Sequence, residues 1–128
     1  MISFFIPGVP RSTQPGSSIR LPNGRTFQPK KNTDWTSWVR LTASVHAPKE
    51  PLEGAVGVKL RYVLPRPKSV AKNVKHPFRR PDLENYGKGL FDALTDAGLW
   101  HDDAQIVVMH LSKEYGEQPG VHVEADEM

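Results

Sequence analysis

A chain of 128 residues suffices for one domain with a sizeable core and is too short for two. Its 38% hydrophobic content and three tryptophans exclude a disordered protein, and the lack of cysteine excludes disulfides, zinc–thiolate centres and cysteine nucleophiles. Net charge is only +3, but it is segregated: no acid occurs between Glu53 and Asp82, where Lys59, Arg61, Arg66, Lys68, Lys72, Lys75, Arg79 and Arg80 accumulate. A basic stretch running into an acidic one suits a polyanion whose phosphates need both neutralising and metal-assisted chemistry. The plainer alternative is a solvated basic loop.

In chain order, residues 2–6 (ISFFI) form an apolar run without a basic leader region, so they predict a strand rather than a signal peptide. No stretch approaches the roughly 20 apolar residues that span a bilayer, and the expectation is a cytoplasmic protein with no membrane partner. Residues 10–32 are rich in proline, glycine and basic side chains, with Asn23-Gly24 placed to turn a hairpin. This basic hairpin arm carries Arg20 and Arg25.

From Thr33 to Ala47 the spacing predicts a helix, with Trp35, Trp38, Val39, Thr42 and Val45 on one face and Pro48 as its stop. The tryptophans can stack bases, but their place on the apolar face favours core packing. Val56, Val58, Leu60, Tyr62 and Leu64 alternate as in a half-buried strand. "PRPKSVAKNVKHPFRRP", residues 65–81, follows as a long basic loop without periodicity, a length usual for functional loops. A second helix is predicted over 83–97, buried through Leu83, Gly87, Leu90, Phe91 and Leu94 and closed by Gly98. Residues 105–115 and 120–126 predict two further strands around a "GEQPG" turn. The order implies a single α+β domain (an α/β sandwich) over 1–128, a mixed β-sheet with two main helices packed on one face.

Carboxylates stand at both ends of that second helix. Asp82 and Glu84 lie at its entry, and Asp102 and Asp103 in the connection to the next strand. Hard carboxylate oxygens are what magnesium prefers, together with water and substrate phosphate, and a bound cation activates water for phosphodiester hydrolysis. Lys88, one turn after Glu84, is placed to stabilise developing charge; Asp92 is a less favoured ligand. Each residue has a simpler account. Asp82 is a competent N-cap, Glu84–Lys88 and Lys88–Asp92 are helical ion-pair spacings, and Asp102 and Asp103 suit a turn. A helix of 15 residues is about 22 Å long, so spacing alone leaves open whether the two acidic groups meet. Nucleotide-binding, zinc-protease and serine-hydrolase motifs are absent, so no nucleotide cofactor is expected. The five histidines lack zinc-ligand spacing, and only His101, beside Asp102, invites a functional test.

"RRPDLENYGKGLFDALTDAGLWHDDAQIV" closely resembles the central motif of the RusA family of Holliday-junction resolvases: an Asp-x-Asp-Asn at a helix entry, a lysine shortly after, Asp-Ala-Leu, then Asp-Asp-Ala-Gln before a strand. The resemblance is strong over about 35 residues, Arg79 to Lys113, and extends elsewhere only in layout. It implies a homodimeric, magnesium-dependent endonuclease, with manganese as a substitute ion, that resolves four-way junctions by paired symmetric nicks and is encoded by bacteria or their phages. The family's essential acids map onto Asp82, Glu84 and Asp103, with Asp102 as a neighbouring ligand, and its essential lysine onto Lys88. Lys68, Lys72, Lys75, Arg79, Arg80, Arg20 and Arg25 are the expected DNA contacts. Glu84 departs from the aspartate usual at its position and is one methylene longer. Two other functions fit the charge pattern: a non-catalytic DNA-binding module, or a broader fork and flap nuclease.

Overall fold

The computed structural model of the chain describes residues 1–12, 19, 20, 22, 23, 26, 27 and 30–128. Along them run β1 (Ile2–Pro7), β2 (Ile19–Arg20), β3 (Thr26–Phe27), α1 (Lys30–His46), β4 (Val56–Leu64), α2 (Leu83–Asp96), β5 (Ile106–Tyr115) and β6 (Gly120–Glu127). Four strands form one sheet in the order β1-β6-β4-β5, and β2 pairs with β3 in a short hairpin. Gly24, half of the predicted turn, lies outside the described residues.

The sheet is mixed, as the element order implied. β6 runs antiparallel to β1 and β4, whereas β4 and β5 are parallel, with Leu60 beside Leu111. Parallel neighbours need a long crossover, and α2 is that crossover. Alternation along β4 decides which face is buried: Val56, Val58, Leu60 and Tyr62 are each at most 2% exposed, while Lys59 and Arg61 point the other way. The buried face joins Val121, Val123 and Ala125 of β6 with Trp35, Val39 and Ala43 of α1 and Leu90, Ala93 and Leu94 of α2 in one core. Both helices therefore pack on one face of the sheet. The opposite face carries Lys59 and Arg61, and Arg61 pairs there with Glu114.

Two expectations shift. α1 begins at Lys30 rather than Thr33, and its buried stripe is Trp35, Val39 and Ala43. Val45 is 76% exposed and Trp38 42%. At about 100° per residue, positions 38 and 45 lie roughly 60–80° to one side of Trp35, while 39 and 43 lie on the other. The sheet takes the second side. Trp38 instead donates its indole N–H to the Pro7 carbonyl at 2.6 Å, tying α1 to the end of β1. α2 ends one residue before its predicted limit, with Ala97 as cap and Gly98 at φ 95°, the left-handed conformation that a glycine accepts without strain.

Candidate nuclease site

The entry of α2 presents its charged side chains without engaging them. Asp82 is the N-cap residue by backbone, its carbonyl accepting from Asn85 N–H at 3.0 Å, yet its carboxylate makes no capping bond. Glu84 and Lys88 are exposed, and neither spacing predicted for an ion pair closes into one; the ion pairs among the described residues lie elsewhere. The simpler account of these residues, a cap and a salt-bridge ladder, is not what they do. They sit at the positive end of the helix dipole, which favours carboxylates and phosphates alike. A hollow of ≈ 390 Å³ opens there between Arg80, Pro81, Asp82 and the buried Asn85.

The approach to this end is held from the sheet. Lys113 of β5 donates from Nζ to the carbonyls of Arg79 (2.9 Å) and Pro81 (3.1 Å), fixing the chain that delivers Asp82. Upstream, Arg66 donates to the carbonyls of Ala71 and Val74 and lies 4.9 Å from the centre of the Tyr115 ring. Arg66 therefore braces the basic loop, and Arg61 is taken by Glu114. The outward-facing cations of residues 65–81 are Lys68, Lys72, Lys75, Arg79 and Arg80. Arg20 lies on β2, and Arg25 is outside the described residues.

The far end of α2 is built in the opposite manner. Leu99 and Trp100 are buried, and the Trp100 indole donates to Thr95 Oγ1 at 2.7 Å. Asp102 then opens the turn Asp103–Gln105, accepting from Ala104 N–H at 2.9 Å. Gln105 ties the turn down: its Oε1 accepts from His101 N–H (2.7 Å) and Asp102 N–H (2.9 Å), and its Nε2 donates to the carbonyls of Leu52 and Gly54, both at 2.9 Å. His101 Nε2 meets Glu53 Oε1 at 2.8 Å, so the histidine next to the acids serves the same clamp.

Electrostatics separates the two aspartates. The Ala104 N–H, and then the hydrogen bond to Asp103, hold the Asp102 carboxyl below its ordinary value. Asp103 is raised, first by that shared hydrogen bond and then by slight desolvation and the charges of Asp102 and Asp92. Asp92, set aside on sequence grounds, thus lies within the field of Asp103.

Among the described residues no three His, Asp or Glu side chains converge into a metal-holding group. The 14 residues of α2 span about 21 Å, and after Gly98 the chain stays at that end, so Asp102 and Asp103 do not return to Asp82. β5 makes the return instead, and what it carries back is Lys113. The donors are of the right kind for a hard divalent cation, all carboxylate oxygens, but one chain presents them in two halves. Sequence reasoning missed Gln105, Asn85 and Lys113. Only Gln105 had a visible signal, the Asp-x-x-Gln spacing of a capping box.

The family model described as endodeoxyribonuclease RusA matches residues 7–125. YqaN of Bacillus subtilis (strain 168), an uncharacterized protein, is 35% identical over 135 residues, covering 95% of this chain and 93% of its own length. The crossover junction endodeoxyribonuclease RusA of Escherichia coli (strain K12) is 66% identical over 35 residues, 27% of this chain and 29% of that protein. The enzyme of the same description from Enterobacteria phage 82 matches to the same extent.

Proposed function

Because the chain belongs to the RusA endodeoxyribonuclease family, we propose that it is a divalent-metal-dependent, structure-selective endodeoxyribonuclease that resolves four-way DNA junctions by paired nicks. The observation that carries this reading is the state of the α2 entry: Asp82, Glu84 and Lys88 are exposed, unpaired and fed by a basic loop. Asp82, Glu84 and Asp103 would hold the cation, magnesium or in its place manganese, with Asp102 beside them. Bound there, such a cation would supply a nucleophilic water and neutralise charge on the scissile phosphate. Lys88 supports the phosphate oxygens, and Lys68, Lys72, Lys75, Arg79, Arg80, Arg20 and Arg25 hold the backbone of the junction arms.

A homodimer fits both partners of the reaction. Two equivalent sites suit a nearly two-fold substrate, and acids split between the ends of α2 favour completion by a second copy. The enzyme is expected to work in the cytoplasm, as a bacterial or phage-encoded protein of DNA recombination and repair. No helix of the described residues is long and apolar enough to cross a membrane.

Incubation with end-labelled four-way junctions and Mg²⁺ tests the proposal. Wild-type protein should nick opposing strands; Asp82→Asn and Asp103→Asn should each lower cutting by on the order of 10³-fold or more while junction binding persists. Tight binding without cutting in any divalent metal would leave a DNA-binding module. Equal cutting of duplex, fork and flap would replace the resolvase by a broader nuclease.

A further inference from the structure

A single exposed aromatic is ordinary on a protein surface; three observations set Phe78 apart. Its ring is 76% exposed although the loop on either side of it is anchored. Val70 and Pro77 are buried, Arg66 ties the carbonyls of Ala71 and Val74, and Lys113 holds those of Arg79 and Pro81. An apolar hollow lined in part by Leu64, Pro65, Tyr86 and Tyr115 takes in Pro77, yet the ring of the next residue stays outside. The ring is also flanked by cations along the chain: Lys75 precedes it, Arg79 and Arg80 follow, and Asp82 is four residues on.

An apolar side chain held out from a braced loop between phosphate-binding cations has the composition of an intercalating wedge. Cations before and after the ring, holding a strand's phosphates, would leave the ring to meet the bases. Inserting it requires unstacking a base step. That cost is lowest where pairing and stacking are already interrupted, as at a branch point, and highest in continuous duplex. We propose that Phe78 is a wedge that stacks into an opened base step at the branch point and so confers preference for branched over duplex DNA. The inference rests on the branched-DNA reading above and adds the residue that selects the branch.

The test uses full-length protein without divalent metal, so that binding is read without cutting, and four-way junctions carrying 2-aminopurine beside the branch point. Wild type should raise the 2-aminopurine fluorescence and bind junction more tightly than duplex. Phe78→Ala should lose the fluorescence rise and weaken junction binding by about tenfold, the scale of one lost stacking contact, with duplex affinity within about twofold. Phe78→Trp should restore both. Unchanged fluorescence and junction preference in Phe78→Ala would overturn the wedge alone, since wild type in the same assay still supports the branched-DNA reading. Equal weakening on junction and duplex, or a change of oligomeric mass on gel filtration, would also overturn it, by assigning the ring to general binding or to a protein interface. A wild type with no preference for junctions would overturn both the wedge and the reading beneath it.

Discussion

The two ends of α2 carry the same kind of side chain under opposite structural rules. At the entry Asp82, Glu84 and Lys88 are left unbonded, and the surrounding chain is fixed through main-chain carbonyls by Lys113. At the far end the acids sit in a turn where Asp102 caps, Gln105 makes four hydrogen bonds and His101 is held by Glu53. The entry keeps its charges available; the exit keeps its geometry preset. The proposed phosphodiester hydrolysis uses both properties, free charge at the entry where substrate and cation would arrive and a preset turn that would position Asp103.

The sharpest way to break this comparison is to remove the free cation at the entry. Lys88→Met takes away a charge that supports nothing in the fold, so stability should be unchanged within about 0.5 kcal/mol. Its loss should instead appear in turnover, by about 10²-fold, with junction affinity nearly intact, because in the proposed mechanism the charge acts on the reacting phosphate rather than on the DNA arms. Single-turnover cleavage alongside a binding titration separates the two effects. Strong destabilisation would place Lys88 in the scaffold after all.

A somewhat smaller loss is expected at the exit, and of another kind. Gln105→Ala removes four hydrogen bonds, leaving the Leu52 and Gly54 carbonyls and the His101 and Asp102 N–H groups without their partner. The magnesium concentration for half-maximal cutting should rise about 10- to 100-fold, as for other groups that orient metal ligands. Unfolding should also become easier by about 1–3 kcal/mol. Excess magnesium should recover much of the rate. Recovery distinguishes a misplaced ligand from a collapsed site, and Gln105→Glu, which keeps the acceptor and loses the donor, should fall between.

The sequence disclosed β4 to the residue because Val56, Val58, Leu60 and Tyr62 alternate with polar or small residues and their face is buried by both helices. The limits of α2 were nearly as clear, since Asp82 and Gly98 mark them by conformation. α1 was less legible: its apolar residues cover more of the helix than the core can accept, and only the packed sheet decides that Val39 and Ala43 go in while Val45 stays out. At the site, the acids were visible as residue types at both ends of a helix. What spacing did not disclose is which are engaged. The bonds that distinguish Asp102 from Asp82 depend on Leu52 and Gly54, about fifty positions from Gln105, and on Lys113, some thirty from Pro81. No local pattern encodes contacts at that range.

The finest distinction between the ends concerns stability alone. Both Asp82 and Asp102 are N-cap residues by backbone conformation, with φ of −65° and −152° and ψ of 149° and 140°. Only Asp102 uses its carboxylate to accept a backbone N–H. Residue type and position therefore predict the same penalty on removal of either side chain, whereas the hydrogen bonds predict different ones. Asp102→Ala should lower the urea midpoint, and the difference from wild type should shrink as acid protonates the carboxylate. The sign follows from its depressed titration: stabilisation by the ionised form is present above the unfolded pKa and is lost as pH falls through the folded one. Asp82→Ala should leave the midpoint where it is while abolishing metal-dependent cutting. Equal destabilisation by both would mean that Asp82 spends its charge on the helix, and the free entry of α2 would lose its claim to the chemistry.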